Sequence, residues 1–167
     1  MLERLGASVH MTQLDRIDRL LLENLQADGR MSAQALSELV HLSARATLNR
    51  IHRLEQLGVI EGYRAQVARS AVAEPVAVFA EITLKDQRQA TVQRFERHVA
   101  ECREVVGCWL VSGRYDYLLR LACRDLAHYR HLTNAWLDDV ALGIDRIVTN
   151  TELATVKEFT GFPLASP

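Results

Sequence analysis

The chain has 167 residues, 49% hydrophobic and 25% charged, with 20 lysines and arginines against 21 aspartates and glutamates for a formal net charge of −1. This length and composition suit one large domain or two small ones with a proper core and exclude a disordered chain. Near-neutrality excludes a whole-protein attraction to nucleic acid or anionic lipid. No apolar run approaches the ~18 residues of a membrane span, and "MLERLGASVH" lacks the apolar stretch of a secretory signal, so a cytoplasmic protein with no membrane contact is expected.

Residues 1–11 read as a flexible arm, with Met11 an alternative start. In "LDRIDRLLLENLQAD", Leu14, Ile17, Leu21 and Leu25 recur at helical spacing, and Leu20 and Leu22 widen the stripe. Thr12 and Asp15 form a T-x-x-D capping box that starts this helix near residue 13, and Gly29 in the left-handed conformation would close it. Ser32 caps a second, shorter segment burying Ala35, Leu36 and Leu39; Ser43 caps a third that Gly58 ends. Three short helices, the last two joined tightly, predict a helix-turn-helix over residues 12–66, and "VIEGYRAQV" predicts a wing hairpin or an outgoing strand.

Residues 67–75, containing "ARSAVAEP", lose periodicity and read as a linker. Beyond them Val76, Val78, Ala80, Ile82 and Leu84 alternate as a half-buried strand, and Val92, Phe95, Val99 and Cys102 share one helical side. "EVVGCWLV" and "YDYLLRLAC", separated by "SGR", predict a hairpin. Asp125 caps a helix whose apolar stripe is Leu126, Tyr129, Leu132, Trp136, Leu137 and Val140, and "IDRIVTNTELATV" closes the order as a strand. The fold class is α+β, a winged helix-turn-helix followed by a ferredoxin-like βαββαβ domain over residues 76–160, with 161–167 as a tail. Cys102, Cys108 and Cys123 form no Cys-x-x-Cys and read as reduced, mostly buried thiols.

The feature that points to chemistry is "HLSARATLNRIHRLEQLGVI", which carries Arg45, Arg50 and Arg53 and no acidic residue before Glu55. On a helical projection Ala44, Leu48, Ile51 and Leu54 fall on one side, Arg45, Asn49, His52 and Arg53 on the other, and Arg50 on the flank. Arginine and asparagine suit the base edges of guanine and adenine in the major groove, and the third helix is where a helix-turn-helix places its recognition residues. Base contacts are therefore expected from Arg45, Asn49 and Arg53, and phosphate contacts from Arg50 and Ser43. The competing account is an ordinary solvated face. Against it stand the missing carboxylates and the capped turn before the helix, while seven arginines balance seven acidic residues over positions 12–64.

"LDRIDRLLLENLQADGRMSAQALSELVHLSARATLNRIHRLEQLGVIEGYRA" resembles the N-terminal domain of the Lrp/AsnC, or feast/famine, transcription regulators, and "VSGRYDYLLRL" is similar to the hairpin of their C-terminal, RAM/ACT-like domain. The resemblance implies double-stranded DNA as partner, a homodimer held by the ferredoxin-like domains, often assembled into octamers, and a small effector, commonly an amino acid. Arg114 stands where the family often carries an acidic residue. The effector is expected at the hairpin turn of Ser112, Gly113, Arg114, Tyr115 and Asp116: Asp116 can accept an ammonium group, Arg114 and the turn amides can donate to a carboxylate, and Gly113 permits close approach. Pairing of Arg114 with Asp116, or of Asp116 with Arg120, is the plainer alternative.

Catalytic signatures are absent from the sequence, so no enzyme, no cofactor and no metal site is expected. His128 and His131, near Asp138 and Asp139, fit a solvated helix face better than a metal site. The alternative function is an amino-acid-sensing regulatory subunit or stand-alone ligand-binding module without DNA function. Such a protein would not need an exposed face of Arg45, Asn49, Arg50 and Arg53.

Overall fold

The computed structural model describes residues 14–68, 71 and 75–164; the expected arm, the proposed Thr12 cap and parts of the linker and tail lie outside them. The described residues separate into two compact units, one of residues up to Gln66 together with those from Lys157 onward, the other Val67–Val156.

The first unit holds three helices, α1 (Arg16–Ala27), α2 (Ala33–Val40) and α3 (Ala44–Gln56). Helix α1 starts three residues later than expected, because its capping box is Asp15 with Asp18: the Asp15 carboxylate accepts from the Asp18 amide at 2.8 Å and the Asp18 carboxylate accepts from the Asp15 amide at 3.2 Å. A carboxylate in the first turn also opposes the positive end of the helix dipole. Its C-cap is Asp28 in extended conformation, not a left-handed Gly29. Ser32 and Ser43 cap α2 and α3 as expected, through the amides of Ala35 and Ala46. His41, at φ 55°, makes the left-handed turn between α2 and α3. Gly58, at φ 69°, ends α3 with the paired bonds Gly58 N to Glu55 O and Val59 N to Leu54 O of a Schellman motif.

Leu21, Leu36, Val40 and Ile51 form the core, with Ile17, Leu20, Leu25, Met31, Leu42 and Ile60 against it. Leu39, expected inside, is 46% exposed. No wing strand forms: residues 61–68 carry no regular secondary structure. Ile60 turns into the helical core, Gly62 adopts φ 152°, and the Tyr63 hydroxyl donates to Glu55 at 3.0 Å, while residues 61–68 run on as exposed coil. Gln26 of α1 also brackets Phe162, accepting from its amide at 2.7 Å and donating to its carbonyl at 3.2 Å.

The second unit is the expected ferredoxin-like order: β1 (Val76–Leu84), α4 (Gln89–Glu101), β2 (Val105–Leu110), β3 (Tyr117–Cys123), α5 (Leu126–Asp138) and β4 (Ile144–Thr151), with a 3-10 turn at Val140–Leu142. The sheet runs β2-β3-β1-β4, antiparallel throughout. Alternation sends Val78, Ala80, Ile82 and Leu84 of β1 and Tyr117, Leu119, Leu121 and Cys123 of β3 under the helices, where Val92, Phe95, Val99, Tyr129 and Trp136 meet them. Asp125 caps α5 through the His128 amide at 2.7 Å. The α5 stripe is narrower than expected: Tyr129, Thr133 and Trp136 are buried, whereas Leu126, Leu137 and Val140 are exposed, because this helix offers more apolar residues than the sheet can cover. Cys123 is buried and Cys102 half-buried, but Cys108 on the edge strand β2 is exposed.

Candidate functional site

The outer surface of α3 is built by its own rotation on the core. Thr47, Ile51 and Leu54 point inward, and Ser43, Arg45, Leu48, Asn49 and His52 are exposed, so positions 45, 48, 49 and 52 form one stripe at helical spacing. Leu48 was expected in the core and is 42% exposed, while Thr47 takes the buried place. The i+3 spacing from Arg45 was the available signal for Leu48. Hydrophobicity alone pointed the other way.

Arg45 makes no ion pair among the described residues. Arg53 is also exposed, one turn after Asn49 on the flank of the stripe, and Arg50 is half-buried beside it. Their guanidiniums turn back to the start of α1: Arg50 reaches Asp15 at 2.6 Å and Asp18 at 2.9 Å, and Arg53 reaches Asp18 at 2.5 Å. The Asp18 side chain is fully buried, so these two arginines supply the countercharge that a buried carboxylate requires. The Asp18 amide, followed by Arg50, holds the Asp15 carboxyl below its ordinary range, and Asp15 in turn raises Arg50. Local residue pattern carries little sign of this, since Asp18 sits 32 and 35 residues from its partners.

In the second unit the turn between β2 and β3 is fastened to β1. The Asp116 amide donates to the Ile82 carbonyl at 2.9 Å, and its carboxylate accepts from the Leu84 amide and the Gln87 side chain, each at 2.7 Å. Neither of the anticipated pairings forms around Asp116. Arg114, with its side chain 76% exposed, bonds Glu81 at 3.0 Å and lies 5.8 Å from the Tyr115 ring centroid. Gly113 adopts φ 135°, a conformation that favours glycine, and space for a Cβ is open there. Ser112, Gly113 and Arg114 are exposed, while Tyr115 and Asp116 are half-buried. A groove of about 340 Å³ elsewhere in the unit, between α4 and α5, is lined by His98, Glu101, Trp136 and Asp139 among others. The turn has the polar groups suited to an amino acid, whereas the groove is open to solvent.

His128 lies 3.6 Å from Glu104, and no group of three or more metal-ligating side chains gathers among the described residues. No helix among them is long and apolar enough to cross a membrane.

Residues 14–55 match the AsnC-type helix-turn-helix domain and residues 77–162 the Lrp/AsnC ligand binding domain. The chain is 37% identical over 146 residues to the transcriptional regulatory protein DoeX of Halomonas elongata, covering 87% of this chain and 91% of that protein. It is 42% identical over 119 residues to the leucine-responsive regulatory protein of Escherichia coli, covering 71% and 73%. A crystal structure of a transcriptional regulator from Neisseria meningitidis in complex with L-methionine superposes with a TM-score of 0.83 at 27% identity, over 90% of this chain and 96% of that one. A DNA-reading helical unit and a ligand-binding sheet unit in one chain are the division of labour of a regulator and not of an enzyme: the protein belongs to the Lrp/AsnC family of transcriptional regulators.

Proposed function

We propose that the protein is a cytoplasmic, homodimeric regulator that reads duplex DNA with Arg45 and Asn49 of α3 against base edges and Ser43 against phosphate, and that responds to an L-amino acid with an apolar side chain. The domain division that serves this is residues 12–66 for reading, 67–75 as linker and 76–160 for sensing and assembly. The observation that carries the reading is the exposed stripe of Arg45, Leu48, Asn49 and His52, on which the arginine has no ion pair among the described residues. Leu48 adds an apolar group able to meet a thymine methyl.

The ligand class is supported by the name of the leucine-responsive relative and by the methionine held in the Neisseria protein. We assign the ligand to the turn of Ser112 to Asp116. Since Asp116 accepts two hydrogen bonds and Glu81 accepts from Arg114 and Asn150, the exposed Arg114 and the turn amides at Gly113 are left to meet the ligand's carboxylate. A second subunit placed over the turn would enclose it, and ligand binding would then bias assembly and DNA affinity, by a coupling of about 1–3 kcal/mol.

The test begins with footprinting of genomic DNA to isolate a protected segment. Arg45→Ala and Asn49→Ala should each cost about 1–3 kcal/mol on that segment at fixed salt and relax the preference at one position. Wild-type affinity in both variants defeats the reading-face assignment. Thermal shift against the standard L-amino acids should give a hit that Gly113→Ala weakens while DNA binding persists. A hit bound equally well by that variant moves the site away from the turn.

A further inference from the structure

We propose that Asp18 sets the specificity of DNA recognition by sequestering charge: it holds Arg50 and Arg53 away from DNA phosphates, leaving binding dependent on the base-reading stripe of Arg45 and Asn49. The inference rests on the DNA-reading function above and names the residue that governs it.

Asp18 stands in the first turn of α1 with its side chain fully buried and both oxygens engaged, one by Arg50 at 2.9 Å and the other by Arg53 at 2.5 Å. Asp15 adds a second acceptor for Arg50 at 2.6 Å. The carboxylate cannot follow its partners toward solvent, because it belongs to the capping box of a helix packed into the core. The arginines are differently placed. Their side chains are 30% and 46% exposed, and Arg53 lies four residues after Asn49, on the flank of the reading stripe. Freed, they would extend into solvent beside any duplex lying on α3. A phosphate that recruits either must compete with a buried, desolvated carboxylate that would be left without its countercharge.

The consequence concerns the sequence-independent part of binding. Each arginine placed on a phosphate releases condensed counterions and tightens binding to every sequence alike. Of the three arginines on α3, the structure leaves Arg45 without an ion pair among the described residues and commits the other two. Non-specific affinity is thereby kept low without removing positive residues from the helix.

The experiment uses the full chain and a duplex of random sequence, with affinity followed by fluorescence anisotropy over a salt series. In Asp18→Asn the shape of the side chain and an acceptor for the Asp15 amide remain, while the charge is gone. This variant should bind the random duplex more tightly at low salt, and its log K against log salt should steepen by about 0.9 for each arginine released, up to about 1.8 per protomer. The triple variant Asp18→Asn, Arg50→Gln, Arg53→Gln should return to the wild-type slope. A slope in Asp18→Asn equal to or shallower than wild type overturns the proposal, as does a triple variant shallower than wild type, which would mean that the arginines already serve DNA. Where Asp18→Asn fails to fold, the triple variant decides by the same criterion. Wild-type protein that binds no duplex even at low salt defeats the DNA-reading function itself, an outcome distinct from an unchanged slope in a protein that binds.

Discussion

Thr47 shows how one side chain records the rotation of a helix. It is fully buried beneath α3, and its hydroxyl has no hydrogen-bond partner among the described residues, while Leu48 beside it faces out. A projection by hydrophobicity puts leucine inside. Two polar interactions oppose that assignment: the Ser43 cap fixes where the helix begins, and the pull of Asp18 on Arg50 and Arg53 fixes which side turns toward α1. The orphaned hydroxyl should cost stability that a methyl group would not. Thr47→Val is expected to stabilise the helical unit by about 1 kcal/mol, read as a higher urea midpoint with an unchanged slope. A lower midpoint would mean that the hydroxyl has a partner after all, an ordered water being the obvious one.

At the level of elements, the helix starts carry a pH dependence whose sign follows from their chemistry. The Asp15 carboxyl lies below its ordinary 3.8, chiefly because the Asp18 amide donates to it and secondarily because Arg50 is near. Asp125 on α5 is lowered in the same way by the His128 amide and Arg124. A carboxyl whose folded value is depressed contributes stability that is fully present above the unfolded value and is lost as pH falls through the folded one. Thermal melts should therefore show no loss from these caps between pH 7 and 5 and a progressive loss below about pH 4. An Asp15→Asn variant should be less stable than wild type at pH 7, and the gap should narrow on acidification. A gap that persists undiminished at pH 3 would show that the carboxylate charge is not what the cap contributes.

For the whole molecule, the sheet leaves one face uncovered by its own helices. Register places Phe79, Leu118, Trp109 and Val148 on that face, and the Trp109 ring lies so close over Gly107 that a Cβ there would meet it at 2.5 Å. Trp109 is 50% exposed and Val148 37%. A sheet face left open in this way, its apolar side chains set among Glu81, Arg120 and Asn150, is suited to a second copy of itself, packed face to face at about 10 Å. Sedimentation should find the wild type as a dimer or larger assembly, and Trp109→Asp should shift it toward monomer with its helical signal retained. An unchanged assembly in that variant would put the interface on another surface.

The order of elements was legible from residue pattern alone, because period 2 in "VAVFAEITL" and the caps Ser32, Ser43 and Asp125 are local signals that survive without tertiary context. The helix-turn-helix and the βαββαβ order followed from them. The start of α1 at Asp15 is a local capping box with Asp18, hidden by the competing Thr12–Asp15 pattern, whereas the coil in place of a wing and the rotation of α3 were decided by the tertiary structure. It also decided that Asp116 is held by Leu84 and Gln87 and that Arg50 and Arg53 answer to Asp18. For the charged residues the physical reason is the same. A charged side chain chooses among partners by the free energy of pairing and desolvation, and a helical projection contains the spacing of those side chains but not the carboxylate across the core that competes for them.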